Sequence, residues 1–173
     1  MNNLLTNRSV YASVVMQVGK NNTVEGDAVT PKQRAEKAAE AMWSNDQASQ
    51  WVGMEIQDID EGYARLVLRV EAHHCNGHGI GHGGITFLLA DSAFAFACNS
   101  RNQTTVAMHN MISFLNPAYE GDVLIAEAKE ISLNGKNGIY DVSVRNQHKK
   151  TVAEMRGMSR SIRGQVFKDE EGQ

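Results

Sequence analysis

The feature that most constrains this chain is an apolar segment, residues 83–100 (GGITFLLADSAFAFACNS), which has a single charged side chain, Asp91, near its centre. A helix that is apolar on nearly every side must be covered by other elements of the fold. Burying an isolated carboxylate is costly unless it is hydrogen-bonded or left partly hydrated. The segment therefore predicts a core helix whose carboxylate lines a cavity or an interface.

Six other segments have the composition and alternation of β-strands. In residues 62–72 (GYARLVLRVEA), for example, apolar side chains alternate with charged ones, and turn signals separate the segments. Because the apolar helix needs a cover, we predict an α+β fold in which an antiparallel sheet of about six strands is wrapped around one long central helix. The predicted strands are residues 52–59, 62–72, 104–115, 122–132, 138–147 and 150–162.

The chain of 173 residues is long enough for one domain with a sizeable core. Residues 1–30 show little periodicity, and we predict that they form a flexible N-terminal extension. Residues 31–165 are the predicted domain and 166–173 a C-terminal tail. The domain opens with an Ala-rich helix, since Thr30 is a favoured N-cap and Pro31 a favoured first helical residue. The predicted buried stripe of this helix is Ala38, Met42 and Trp43.

Charge and composition exclude several classes of protein. The formal net charge is -3 and no run is strongly basic, which argues against nucleic acid or an anionic membrane surface as a partner. No apolar run reaches the roughly 20 residues that span a bilayer. Cys75 and Cys98 form no disulfide framework, as is typical of a reducing compartment. We predict a cytoplasmic protein; the lack of acidic residues in the first 20 leaves an organellar address open.

Two features beside the apolar helix indicate chemistry. His82, Gly83 and Gly84 open the helix, where free backbone N–H groups and the positive end of the dipole can stabilise a developing oxyanion. A carboxylate in an apolar cleft, such as Asp91, is a candidate general base or nucleophile. The alternatives are a tight Gly-Gly turn and an Asp91 that caps a loop or pairs with Arg69 or Arg156.

The loop before the helix carries several metal-ligand side chains, at His73, His74, Cys75, His78 and His82. Such spacings can coordinate zinc. The loop has no second cysteine pair and no carboxylate to complete a catalytic site. We therefore predict no metal and no cofactor, and expect most of these histidines to be solvated or packed.

Three strings carry a family resemblance: NGHGIGHGGITFLLADSAFAFACNS, ISFLNPAYEGDVLIAEAKEISLNGKNGIYDVSV and VAEMRGMSRSI. Over roughly residues 40–164 the chain resembles the hotdog-fold acyl-CoA thioesterases of the phenylacetate-degradation (PaaI) type. The resemblance implies a hotdog fold, hydrolysis of an acyl-CoA thioester to a free acid and coenzyme A, and sheets joined edge to edge in a homodimer. It also implies that a homotetramer, a dimer of dimers, is common.

The resemblance also implies site residues. The catalytic acid of the family falls on Asp91, its oxyanion-hole amide on Gly83, and its Asn or Gln that orients the substrate on Asn76. In some relatives a Ser or Thr steadies the attacking water; that position aligns with His109, beside Asn110, and Ser92 is a candidate substitute. The predicted substrate-binding residues are His82, Gly84, Phe87, Ser92, Phe94 and Arg156. The candidates for the coenzyme A phosphates are Arg101, Lys136, Arg156 and Arg160.

Helix geometry adds an independent expectation. At 1.5 Å rise per residue, Gly83 and Asp91 of one helix lie about 12 Å apart. A thioester carbon must be about 3 Å from both an oxyanion donor and its attacker. One chain cannot supply both groups, so a two-fold dimer that pairs Gly83 with the other subunit's Asp91 is predicted. The alternative functions are a hotdog dehydratase or hydratase and a non-catalytic acyl-thioester binding module.

Overall fold

A computed structural model describes residues 29–168, and these form one six-stranded antiparallel sheet and three α-helices. The α+β prediction is confirmed, and each predicted strand is found within two or three residues of its expected ends. The helices are α1 (Pro31–Trp43), α2 (Gln47–Trp51) and α3 (Gly83–Asn99). The strands are β1 (Met54–Asp60), β2 (Tyr63–Arg69), β3 (Thr105–Phe114), β4 (Val123–Asn134), β5 (Asn137–Arg145) and β6 (Thr151–Ser161).

Helix α3 is the centre of the core, and it contacts all six strands. Its side chains Leu89, Ala93 and Phe96 are almost fully buried. They pack against the inward-facing residues of the sheet, where alternation along each strand turns the apolar side chains toward the helix. The inward-facing side chains include Leu66, Leu68, Leu124, Val142 and Val144.

The sheet has the order β1-β2-β4-β5-β6-β3, so the strand that follows α3 crosses to the far edge of the sheet. The side chain of Asn99 fixes this crossing: its Nδ2 donates to the carbonyl of Thr105, and its Oδ1 accepts from the Thr105 N–H. Strand β3 pairs with β6 on one side. Its other side is unpaired in the part of the chain that the structure describes.

The N-terminal helix α1 begins as predicted. The Thr30 hydroxyl accepts from the N–H of Gln33 and the Gln33 side chain accepts in return from the Thr30 N–H, which forms a capping box. The buried stripe differs in part from the prediction, because the small residues Ala35, Ala38 and Ala39 lie against the core while Met42 and Trp43 are half-buried. The short helix α2 was not predicted, since five residues carry too little periodicity.

The predicted domain boundaries stay predictions. Residues 1–28 of the predicted extension and residues 169–173 of the predicted tail lie outside the described residues. Within residues 29–168, each helix falls short of the length and hydropathy that a bilayer-spanning helix needs.

Candidate active site

The start of helix α3 presents one backbone donor to solvent. His82 is the N-cap, and its Nδ1 accepts from the N–H of Gly84 over 2.9 Å. A Cβ on residue 84 would lie 3.0 Å from that same Nδ1, so a larger residue there would press on this cap. The Gly83 N–H has no hydrogen-bond partner within residues 29–168. It is therefore available, at the positive end of the helix dipole, to a ligand oxygen.

The loop that leads into α3 holds Asn76 in a defined position. The Asn76 N–H donates to the carbonyl of Ile80, and its Oδ1 accepts from the N–H of His78 over 2.9 Å. An isolated antiparallel β-bridge between the backbones of Cys75 and Gly81 closes the loop. The side-chain amide Nδ2 of Asn76 has no hydrogen-bond partner within residues 29–168 and is a second donor.

These two donors line one cleft of about 410 Å³. The ring of Phe114 lies over Gly83, where an added Cβ would come within 3.3 Å of the ring. A carbonyl oxygen entering the cleft would meet amide donors from Asn76 and Gly83, beneath apolar walls. The remaining lining residues are Ile80, Gly81, Thr86, Leu115, Asn116, Pro117, Ala118 and Val152.

Asp91 lies on the same helix, half-buried, and it faces the edge strand β3. Asn110 of β3 donates from its Nδ2 to Asp91 Oδ1 over 2.6 Å. Burial raises the pKa of Asp91 above the ordinary carboxyl value, and the hydrogen bond from Asn110 partly offsets this rise. The carboxylate is thus held in a desolvated site by a neutral amide.

The predicted arginine partners of Asp91 lie elsewhere, so that alternative is wrong. Arg156 forms a bidentate pair with Asp141 at 2.6 and 2.7 Å, and both side chains are exposed. Arg69 donates to the backbone carbonyl of Gly121.

One side of helix α3 is only partly buried. Within the helix, the incompletely buried residues of its second and later turns follow helical spacing: Phe87, Leu88, Asp91 and Ala95. We call these four residues the open stripe. The stripe places the one carboxylate of the helix on a side that the sheet and α1 cover only in part.

The structure brings Asn76 and Gly83 into one cleft and leaves Asp91 outside its lining. The two helical turns between Gly83 and Asp91 separate them by about 12 Å. The expectation that one chain supplies half of the reacting groups, which rests on this same distance, stays a prediction.

The other predicted substrate-binding residues have diverse surroundings. His82 and Gly84 form the helix cap beside the cleft, and Phe87 belongs to the open stripe. Ser92 is buried, and its hydroxyl bonds to the hydroxyl of Ser49 at 2.8 Å. Phe94 is 1% exposed and packs edge-on against Tyr140. The structure thus places Ser92 and Phe94 in the core, and their predicted contact with substrate stays a prediction.

Asn110 is the site residue that sequence reasoning did not assign. The aligned position was His109, which is exposed, while its neighbour Asn110 reaches Asp91. A bulge between Ala107 and His109 shifts the register of β3 against β6. The alternation of β3 could have indicated Asn110, because Asn110, Ile112 and Phe114 lie on the same face of the strand. Ile112 packs on the core and Phe114 lies over Gly83, so this face points toward the helix.

The four basic residues predicted to bind the coenzyme A phosphates differ in whether an ion-pair partner already balances their charge. Arg101 is engaged with Glu130 at 2.6 Å and Glu61 at 3.3 Å, and Arg156 is engaged with Asp141. Lys136 and Arg160 have no ion-pair partner within residues 29–168. Lys136 is therefore a stronger candidate than Arg101, whose charge is already balanced.

No group of three or more metal-ligand side chains is assembled within residues 29–168. Two of the loop histidines use Nδ1 as an acceptor for a backbone N–H, His74 from Glu71 and His82 from Gly84. We expect the activity of the protein to survive dialysis against a chelator undiminished, and elemental analysis to find less than stoichiometric zinc. Stoichiometric zinc together with chelator-sensitive turnover would contradict this prediction.

A second prediction concerns stability and pH. Because the folded pKa of Asp91 is raised, its contribution to stability is full below the unfolded pKa, about 4, and is lost as the pH rises through the folded pKa. We expect Asp91→Asn to unfold at a higher temperature than the wild type at pH 7, and the difference to shrink toward pH 4. Thermal unfolding across this range checks the prediction; a variant destabilised at pH 7 but not at pH 4 would refute it.

Comparison with known proteins identifies the chain. A family model described as thioesterase superfamily matches residues 78–153. Acyl-coenzyme A thioesterase PaaI of Escherichia coli (strain K12) is 42% identical over 133 residues, which are 77% of this chain and 95% of that protein. A putative esterase of Archaeoglobus fulgidus is 38% identical over 125 residues, 72% of this chain and 81% of the esterase.

Solved structures of related proteins show the same similarity. The E. coli PaaI protein from the phenylacetic acid degradation operon has a TM-score of 0.77 and 41% identity, and the match covers 79% of this chain and 99% of that one. The TT0310 protein of Thermus thermophilus has a TM-score of 0.66 and 32% identity, over 68% and 99% of the two chains.

Fold and sequence together define the class of this protein, a hotdog-fold thioester hydrolase. More narrowly, the chain belongs to the acyl-CoA thioesterases of the PaaI type within the thioesterase superfamily. The family resemblance inferred from the sequence is thereby confirmed, and the hydrolase is favoured over the dehydratase and over the binding module.

Proposed function

We propose that this protein hydrolyses an acyl-CoA thioester in a site shared by two subunits, with Gly83 and Asn76 from one and Asp91 from the other. The observation that carries the proposal is the arrangement on α3, where an unpartnered backbone donor and a half-buried carboxylate lie on one helix about 12 Å apart. Two antiparallel copies of the helix related by a two-fold axis bring each group opposite its complement.

The chemistry needs one attacker and one oxyanion site. Asp91, ionised, takes a proton from water as the water oxygen bonds to the thioester carbon, and the carbonyl oxygen becomes negative. The Gly83 N–H, with Asn76 beside it, stabilises that oxygen. Collapse breaks the carbon–sulfur bond, and the thiolate of coenzyme A takes the proton from Asp91. In the nucleophilic alternative the Asp91 carboxylate attacks the carbon and the carbon–sulfur bond breaks, so that the thiolate of coenzyme A leaves. Water then hydrolyses the mixed anhydride to the free acid and the Asp91 carboxylate, and a proton released in this step neutralises the thiolate.

Strand β3 supports a dimer of this geometry. It lies at the edge of the sheet, and its exposed side chains are largely apolar, with Met111 at 62% and Phe114 at 54% exposure. An exposed, apolar strand edge is a surface that pairs readily with another chain. Because Asn110 and Phe114 of this strand contact the two halves of the site, pairing along β3 would bring the halves of two subunits together.

The open stripe suggests the nature of the acyl group. Phe87 lies one helical turn before Asp91, with Leu88 beside it, so an apolar surface adjoins the reacting carboxylate. We propose that it accepts an arylacetyl or medium-length acyl group. A homotetramer built from two such dimers and a cytoplasmic location complete the proposal.

The test is a panel of acyl-CoA substrates with short, medium, long and aryl acyl groups, with thiol release as the readout. We expect hydrolysis that is fastest for arylacetyl or medium acyl groups. Release of coenzyme A from none of these substrates by the folded protein would overturn the proposed function. A preference for long chains would overturn the proposed acyl group alone.

A further inference from the structure

The side chain of Asn110 reaches out of strand β3 into a space that the fold keeps open for it. Asn110 lies opposite Gly157 of β6 in the sheet. A Cβ at residue 157 would come within 3.0 Å of Asn110 Oδ1 and 2.9 Å of the Phe94 ring. The glycine therefore leaves room between the sheet and the helix for the amide, which donates to Asp91.

The two polar atoms of the Asn110 amide, Nδ2 and Oδ1, differ in their hydrogen bonding. Nδ2 donates to Asp91 Oδ1 over 2.6 Å, whereas Oδ1 of Asn110 is buried and has no hydrogen-bond partner within residues 29–168. A buried acceptor without a partner lowers the stability of a fold. Packing alone would favour an apolar residue here, so packing does not account for an amide at this position.

The bond also distinguishes the two oxygens of the carboxylate. Asp91 Oδ1 accepts from Asn110, and Asp91 Oδ2 has no partner in the described chain. A flipped Asn110 amide would place its carbonyl oxygen against the carboxylate. This is unfavourable, because both groups are acceptors. The amide orientation and the ionised carboxylate thus support each other, and Oδ2 is the oxygen left for chemistry.

We propose that Asn110 is a positioning residue for the hydrolysis: its amide N–H fixes the Asp91 carboxylate through Oδ1 so that Oδ2 is presented to the attacking water or to the thioester carbon. The inference rests on the proposed function, in which Asp91 is the reacting carboxylate. It explains how this site holds its carboxylate without an arginine or a lysine.

No other charge competes for this task within residues 29–168. The pKa of Asp91 responds to burial and to Asn110 alone. On β3 the neighbouring His109 is exposed, and on the outer face Arg156 is paired with Asp141. Cys98, two turns along α3, stays a neutral thiol because burial raises its pKa to about 12.

The test combines kinetics with direct titration of the carboxyl group. Asn110→Ala removes the donor, and we expect kcat to fall by up to about a hundredfold with KM little changed. Because the hydrogen bond lowers the pKa of Asp91, the acid limb of the pH–rate profile should move to higher pH. The control Ser113→Ala, at an exposed position of the same strand, should leave that limb in place; an equal shift there would overturn the assignment to Asn110.

A double-mutant cycle then asks whether Asn110 acts through Asp91. In an Asp91→Asn background, Asn110→Ala should cost no further activity, because the group that it positions is gone. An equal loss in both backgrounds would overturn the proposal. The same cycle measured by thermal unfolding separates a structural effect, since a merely structural residue would lower stability in both backgrounds without moving the pH limb.

A readout without turnover keeps this inference distinct from the proposed function. Titration of Asp91 by carbon NMR of labelled carboxyl groups should show a higher pKa in Asn110→Ala than in the wild type. If the wild type hydrolyses no thioester while this shift appears, the proposed function fails and the contact to Asp91 stands. An unchanged Asp91 pKa in the folded variant overturns the positioning role.

Discussion

Replacement of Asp91 by Asn should lower thioester turnover by at least about a hundredfold, the lower end expected for loss of a general base. Asn is nearly isosteric with Asp and keeps an oxygen that can accept from Asn110, so the helix and its contacts should persist. What is lost is the negative charge that abstracts a proton or attacks the thioester carbon. Thiol release from an acyl-CoA substrate, measured at saturating concentration, checks the prediction.

A matched control separates this effect from the general removal of a carboxylate. Asp58→Asn changes the same chemical group on β1, where it pairs with Lys32 on the surface. We expect that variant to retain near-normal turnover. Near-normal thiol release from folded Asp91→Asn would refute the catalytic role of Asp91 by either mechanism.

The second large effect concerns mixed dimers of two inactive chains. One chain carries Asp91→Asn and the other Gly83→Pro, which removes the backbone N–H. Proline suits the first helical position, and the preceding His82 already has the extended backbone that a following proline demands, with φ -64° and ψ 130°. Each homodimer should be inactive, because each of its sites lacks one group.

Random assembly makes about half of the dimers mixed, and a shared site makes one of the two sites in each mixed dimer intact. The co-expressed mixture should therefore recover roughly a quarter of wild-type activity. If both groups instead act within one chain, every site is damaged and no activity returns. Doubly tagged dimers, purified and assayed by thiol release, distinguish the two cases.

Gly83→Ala is the control for the proline variant. Both changes add a Cβ that presses on the Phe114 ring at 3.3 Å, and that ring is exposed enough to shift. Alanine keeps the N–H that proline removes. Activity in the alanine variant and its loss in the proline variant would assign the effect to the donor; equal loss in both would assign it to the Phe114 contact and not to an oxyanion site.

Much of this architecture was predictable from short-range patterns. The strand segments alternate in hydropathy, and Thr30 with Pro31 marks the start of α1. The apolar composition of residues 83–100 predicted a core helix, and the structure places it against all six strands. These features depend on neighbours in the chain, which is why propensity and periodicity capture them.

The partner of Asp91 was not predictable in the same way. Arg69 and Arg156 were reasonable partners by charge, yet the strand face that each occupies turns its side chain away from the helix. Whether residue 109 or residue 110 faces Asp91 depends on the bulge in β3, which shifts the side-chain parity by one residue. A bulge has no reliable signature in a sequence of apolar and small residues.

The sequence by itself determined the fold class and the family, because these follow from local pattern, and it predicted Asn76, Gly83 and Asp91 as the reacting groups. Tertiary structure alone decided which groups meet. It seats the Asn76 and Gly83 donors in one cleft, turns Asp91 to the open stripe, and selects Asn110 as its partner. The physical reason is that such contacts join residues from different elements, so they depend on sheet order, register and packing rather than on the residues beside them in the chain.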